Sequence, residues 1–391
     1  MSEIRSLMID QWLEKYTGYE RFMPDLERIG KVVDYLELPK PKKIITVAGT
    51  NGKGQCSRLL FKELSKKYRV SLLTSPHLVR LNERLVNNDG EITDEKLWKL
   101  IQELKPVVEK LNIKLPFFEY VFIVFLMFAK DSDITILEVG LGGRLDAVNY
   151  YAADILLLTS ISRDHQEFLG NRYDGILKEK LGLLRNNQHF YSSLELNYLR
   201  ECTQEVLTKF SNVKWSDMFK LNVTKTSDNY YVRNQQLVNY VLEQEFKIKN
   251  DIDHNFPGKI LSINDNQCYF IPSHNPDGLR KFIQLMQLEK YNFDKVLVFL
   301  SKRSIADTKV KVRIILEGCK PIEEISICKF TGYNMMDSEA LTSIAKDFNL
   351  RLIDDFSEEI KKYKNKNILC IGSNYNYRTL HTTWLNSRPR G

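Results

Sequence analysis

At 391 residues the chain exceeds what one hydrophobic core usually covers, so two domains are expected. Hydrophobic residues make up 43% and charged residues 27%, a globular balance that excludes the disordered and fibrous classes. The net charge of +7 is interleaved with acids rather than gathered in blocks, which supports a nucleic-acid footprint only weakly and suits an anionic small substrate as well.

The first recognisable element is the apolar run "IITVAG" from Ile44, expected to be a strand, followed by the helix-like "QCSRLLFKELSKKY" and a second strand, "RVSLLTS". A helix is predicted after Asp94, with Thr93 as N-cap, acids in its first turn, and Leu97, Leu100, Ile101, Leu104 and Val108 at helical spacing. An apolar helix from about Phe118 to Ala129 and the strands "ITILEVG" and "DILLLTSI" follow. Continuous apolar strands alternating with helices predict a doubly wound α/β domain around a mostly parallel sheet. After "NFPGKI" the pattern restarts with "CYFIPSHNP", a helix from about Asp277 to Glu289, and the strands "DKVLVFL", "EEISICKF" and "NILCIGS". These predict a second, smaller, Rossmann-like α/β domain, with the boundary near Gly258 and the domains at 1–258 and 259–391.

The six cysteines form no CxxC pair, which argues against a zinc site or a disulfide framework. No segment approaches eighteen uncharged apolar residues, and the first residues lack the apolar core of a signal peptide. A cytoplasmic protein acting as a monomer on small molecules is expected, with neither membrane nor nucleic acid as partner.

Gly49, Thr50, Asn51, Gly52, Lys53 and Gly54 lie between a predicted strand and a predicted helix. Glycines there let backbone N–H groups turn inward, and the helix N-terminus favours an anion, so phosphate is the natural guest. The strict P-loop pattern is only half matched, because Gly54 follows Lys53 and the first glycine stands too close. Ser75, Glu138 and His165 stand at or just beyond the carboxyl ends of predicted strands, the edge at which open parallel sheets bind ligands. A hydroxyl, a carboxylate and an imidazole there could hold Mg²⁺, although imidazole is an unusual ligand for so hard a cation. Periodicity alone reads Lys180, in "ILKEKLGLL", as a solvated helix lysine.

The motifs "VAGTNGKG", "TSPHL" with "NER", "FFEY", "ILEVGLGGRLDAVN", "SISRDHQEFLG" and "KEKLGLL" occur in one order over roughly residues 10–185. In this they resemble the folylpolyglutamate synthase and dihydrofolate synthase branch of the Mur ligase superfamily. The resemblance implies an ATP-dependent ligase that joins L-glutamate to 7,8-dihydropteroate, and to reduced folates, through an acyl phosphate. It implies that Gly49 to Gly54, with Gln55, hold ATP phosphates, with Lys53 as the phosphate lysine. It implies two Mg²⁺ ions held by Ser75, Glu138, His165 and a carbamylated Lys180, and a pterin pocket lined by Phe118 and Asp146. Asn234, in "YYVRNQQLVNYVL", is the candidate for the adenine-contacting asparagine.

The second half departs from the family pattern, and so does one position beside the glycine loop. Gln55 stands where the family has serine, and Lys259 where it has arginine. In "FIPSHNP", Ile271, Pro272 and Ser273 replace Asp-Gly-Ala, while His274, Asn275 and Pro276 remain. Lys259 and His274 are retained as nucleotide-site candidates, although lysine cannot reproduce a bidentate or stacked arginine. The alternative reading is a nucleotide- or folate-binding protein of the same fold with weakened or lost ligase activity.

Overall fold

A computed structural model describes the chain except for Met1 and residues 18–24, 165, 225–226, 253–254, 274, 321, 323, 331–334 and 388–391. The chain divides into two compact units, Met1–Asp253 and His254–Gly391.

The first unit is built on eight strands: β1 (Ile44–Ala48), β2 (Val70–Leu73), β3 (Leu85–Asn87), β4 (Gly90–Glu91), β5 (Ile134–Glu138), β6 (Ile155–Leu158), β7 (His189–Ser192) and β8 (Lys214–Asp217). They form one sheet in the order β4-β3-β2-β5-β1-β6-β7-β8. It is parallel from β2 through β8, with β3 and β4 as an antiparallel edge. Every residue of β1, β2, β5 and β6 is buried, as expected for strands covered on both faces. Alternate residues supply two cores. Ile44, Ala48, Leu73, Leu137 and Leu158 belong to the core that includes the apolar helix Phe117–Ala129, whose Phe122 and Phe125 are fully buried. Ile45, Val47, Leu72, Ile136 and Leu157 face Cys56, Leu60 and Leu64 of the helix Lys53–Leu64 and Leu237, Val238 and Val241 of the helix Tyr230–Phe246. Truncating such a phenylalanine to alanine costs about 3–5 kcal/mol, so these faces fix the sheet firmly.

Register decides where the chemistry falls. Val47 pairs with Glu138, Leu73 with Leu137, and Ala48 with Leu158, so β1, β2, β5 and β6 end level with one another. The residues that follow them, Gly49, Thr74 and Ser75, Val139, and Thr159, therefore share one edge.

The second unit has a six-stranded sheet of β9 (Lys259–Ile263), β10 (Asn266–Pro272), β11 (Lys295–Phe299), β12 (Glu324–Cys328), β13 (Arg351–Ile353) and β14 (Asn367–Gly372), in the order β13-β12-β11-β14-β10-β9. Only β9 runs antiparallel, as a hairpin partner of β10. Asn275 caps the helix Pro276–Leu288, accepting the Gly278 N–H at 2.7 Å, with Pro276 in its first turn. All six cysteines are free thiols.

Candidate active site

The glycine loop joins β1 to the helix Lys53–Leu64. Gly49 and Gly52 have φ of +144° and +89°, conformations that side chains resist. Space closes both positions as well: a Cβ on Gly49 would lie 1.9 Å from Thr159 Oγ1, and one on Gly52 would lie 2.4 Å from Asn234 Nδ2. The loop is tied down by the segment after β6. Thr50 N–H donates to Ser160 O at 2.7 Å, and Asn51 N–H to Ser160 Oγ at 3.1 Å. Thr159 Oγ1 and Ser160 Oγ donate to Asn51 O at 2.7 and 3.0 Å. Ser162 N–H donates to Thr50 Oγ1 at 3.0 Å. Thr159, Ser160 and Ser162 were not singled out from the sequence; the hydroxyl run in "LLLTSIS", directly after a strand, was the available signal. Lys53 Nζ donates to Thr50 O at 3.1 Å, so the ammonium is curled over its own loop.

Glu138 ends β5 and is 4% exposed. It accepts the Ser75 N–H at 3.2 Å, and a Cβ on Gly54 would sit 3.5 Å from both its carboxylate oxygens. Burial pushes its carboxyl above the usual range, while Lys53, the Ser75 N–H, Arg58 and Arg84 pull it back. A buried carboxylate whose charge is under-compensated, with a hydroxyl-bearing residue on its neighbour strand's end, is a hard-oxygen donor set that fits a divalent cation such as Mg²⁺. His165 lies outside the described residues, and among those described no cluster of three or more histidine, cysteine or carboxylate side chains is arranged around a metal position.

The loop carrying Ser75 is braced by the "NER" residues. Glu83 accepts the N–H groups of Leu78, Val79 and Arg80 at 2.8, 2.7 and 2.9 Å. Asn82 donates to Ile92 O and Asp94 Oδ1, and Arg84 Nε donates to His77 Nδ1 at 3.0 Å with its guanidinium over the Phe117 ring. These bonds hold the segment that carries Ser75, and the Arg84 charge also acts on Glu138.

Lys180 is buried, 5% exposed, with Nζ 3.3 Å from Gly142 O. This corrects the solvated reading from periodicity. On the helix Tyr173–Leu181 the buried residues are Ile176, Leu177, Lys180 and Leu181, so the lysine falls on the apolar stripe. Burial, reinforced by the like charge of Lys53, lowers its pKa to about 7, against the pull of Asp164 and Asp146. The glycines of "GLGGRLDAVN" make the approach possible, since a Cβ on Gly143 would lie 2.9 Å from Lys180 Cα. Asp146 and Phe118 meet at Gly140, where a Cβ would lie 3.3 Å from Asp146 Oδ2 and 3.3 Å from Phe118 Cζ. Asp146 accepts N–H groups from Leu141 at 2.8 Å and Val148 at 3.1 Å, yet burial still raises its pKa to about 6.

Gln55 and Asn234 turn to each other. Asn234 Nδ2 donates to Gln55 Oε1 at 2.8 Å, and Gln55 Nε2 donates to Tyr231 O at 2.9 Å. In the second unit, Lys259 opens β9 with an exposed side chain, Ile271 is buried within β10 opposite Ile371, and His274 lies outside the described residues.

No protein-family model matches the chain. It is 40% identical over 167 residues to the dihydrofolate synthase/folylpolyglutamate synthase of Escherichia coli, a match covering 42% of this chain and 39% of that relative. It is 35% identical over 176 residues to the protein of the same name from Bacillus subtilis, covering 41% and 40%, and 33% identical over 172 residues to the dihydrofolate synthetase of Saccharomyces cerevisiae, covering 42% and 40%. The chain thus spans 39–40% of the length of these relatives. Among solved structures it is similar to Escherichia coli FolC in complex with DHPP and ADP, with a TM-score of 0.78, 22% identity and coverage of 98% of each chain. It is likewise similar to the Mycobacterium tuberculosis folylpolyglutamate synthase complexed with ADP and AMPPCP, with a TM-score of 0.78, 20% identity and full coverage of both. The likeness that the motifs implied is therefore borne out at two levels: the chain has the fold of the folylpolyglutamate and dihydrofolate synthases and, over two-fifths of its length, close sequence similarity to them.

Proposed function

We propose that the chain is an ATP-dependent ligase that joins L-glutamate to dihydropteroate, and to reduced folates, through an acyl phosphate. One observation carries the proposal: the glycine loop, Lys53, Glu138 and Ser75 lie at the level ends of β1, β5 and β2, beside the buried Lys180. The comparisons support the same reading, since a similar structure is described with Mn, AMPPNP and L-glutamate bound.

A carboxylate is inert toward an amine at neutral pH, so the γ-phosphoryl group is transferred to it first; the glutamate amine then attacks the acyl carbon and phosphate leaves. In this scheme the phosphates are cradled by the helix N-terminus and the loop N–H groups other than those of Thr50 and Asn51, which bond to Ser160. Lys53 uncurls from Thr50 O to meet the charge that spreads over the transferred group. Phe118 offers a ring face and Asp146 an acceptor to the amino-substituted pterin. Glu138, the Ser75 hydroxyl and His165 would hold magnesium, with Lys180 joining them as a carbamate, and bound there the metal neutralises phosphate charge. Lys180 suits that modification because a pKa of about 7 leaves much of the amine neutral and able to add carbon dioxide.

A second reading, a nucleotide- or folate-binding protein without turnover, is favoured by Ile271, which puts a buried hydrocarbon where the resembling family has an aspartate. Purified protein with dihydropteroate, L-glutamate and MgATP separates the two. Release of ADP that requires all three supports the ligase; tight binding of MgADP and dihydropteroate with no turnover supports the binding protein.

A further inference from the structure

The side chain of Gln55 is committed at both ends to one neighbouring helix. Its Nε2 donates to Tyr231 O at 2.9 Å and its Oε1 accepts from Asn234 Nδ2 at 2.8 Å. Tyr231 is itself fixed, because Asn229 caps the helix Tyr230–Phe246 by accepting the N–H groups of Tyr231 and Val232. Asn234, 7% exposed, touches the loop at two further places. Its Nδ2 lies 2.4 Å from where a Cβ on Gly52 would stand, and its carbonyl accepts the Cys56 thiol at 3.8 Å. Successive helical residues point about 100° apart, so while Gly54 faces Glu138, Gln55 is directed to a different neighbour. A serine at residue 55 is too short to reach Tyr231 O and Asn234 together.

We infer that Gln55 and Asn234 form a clasp that positions the glycine loop for nucleotide, acting through the backbone of Gly52 to Cys56 rather than by touching phosphate or metal. The inference rests on the nucleotide reading of the loop and adds a device specific to a glutamine at this position. Gln55 is a positioning residue, and Asn234 serves the loop from behind.

The test uses the full chain with Gln55→Ala, Asn234→Ala and the double variant. MgADP binding by calorimetry is expected to weaken on the order of tenfold in each single variant, the worth of one or two hydrogen bonds, and by no more than that in the double, because both changes break one clasp. The Mg²⁺ concentration that half-saturates ADP binding is expected to stay unchanged in Gln55→Ala; a shift of about tenfold or more would make Gln55 a ligand and overturn the inference. Without nucleotide, amide hydrogen exchange at residues 52–56 is expected to accelerate in all three variants while residues 259–387 exchange as in the wild type; unaltered exchange at 52–56 would overturn it too. Wild-type protein that fails to bind MgADP would defeat the nucleotide reading itself, whereas wild-type binding with undiminished affinity in both single variants would defeat the clasp alone.

Discussion

Gly49→Ala is the sharpest perturbation of the site's scaffold. At φ +144° an alanine occupies a region that is essentially glycine's own, at a cost of about 1–3 kcal/mol. The new methyl group would also stand 1.9 Å from Thr159 Oγ1 and 3.1 Å from Ser160 N. Thr159 is 2% exposed, and its hydroxyl bonds to Asn51 O at 2.7 Å and Ala48 O at 3.3 Å, so it yields only by releasing the loop. Overpacking of that kind adds about 1–3 kcal/mol, for a total loss of about 2–6 kcal/mol. Gly90→Ala is the control, because Gly90 also has positive φ, +110°, but nothing lies within 4 Å of its Cβ position. It should lose only the conformational part. Urea unfolding of wild type, Gly49→Ala, Gly90→Ala, Thr159→Ala and Gly49→Ala/Thr159→Ala measures each cost. Removing the threonine hydroxyl should recover part of the Gly49→Ala loss, a non-additivity of about 1–3 kcal/mol. Equal stability of Gly49→Ala and Gly90→Ala, or strict additivity with Thr159→Ala, would refute the argument.

Three further outcomes are expected. The Asp146 carboxyl has its pKa raised by burial to about 6, above its unfolded value of 3.8, so its contribution to stability is fully present below pH 3.8 and is lost as pH rises through about 6. The stability of the wild type relative to Asp146→Asn should therefore fall by about 2 kcal/mol between pH 4 and 7, and a pH-independent difference would contradict the burial argument. Protein equilibrated with ¹³C-labelled bicarbonate should show a carbamate carbon resonance that is absent in Lys180→Arg, and a resonance that persists in the variant would place the adduct elsewhere. In the second unit, the side chain of Lys295 is 2% exposed and bonds to Glu324, Glu359 and Tyr363, while Glu359 also pairs with Arg351 and Lys362, so Lys295→Met should destabilise that unit by about 1.5–3 kcal/mol in chemical unfolding. A loss below about 1 kcal/mol would show that the network is not held against burial.

What could be read from the sequence followed from burial on two faces. β1, β2, β5, β6, β11, β12 and β14 are apolar runs because helices cover both sides of them, and such runs need no partner information to be seen. β3, β4, β7, β8 and β13 were not visible. They are two to four residues long and lie at or near sheet edges, where residues such as Lys214, Trp215 and Arg351 are half-exposed or exposed, so neither a run nor an alternation forms. In the site, the glycine loop, Ser75 and Glu138 announced themselves by residue type at strand ends. The burial of Lys180 was not read from the sequence: a lysine on a helix is ordinarily solvated, and only the structure places it with Ile176, Leu177 and Leu181 on the buried stripe. The Gln55–Asn234 contact spans 179 positions and joins two helices through side-chain amides, and no local pattern encodes such a pair.

The central claim is that the glycine loop and the carboxylate edge transfer phosphoryl to a substrate carboxylate before glutamate attacks. Dihydropteroate labelled with ¹⁸O in its carboxylate tests this directly, by mass spectrometry of the phosphate released with L-glutamate and MgATP. The account predicts one ¹⁸O in each phosphate formed per product. Unlabelled phosphate alongside ADP would mean that ATP is hydrolysed without activating the carboxylate, and would contradict it.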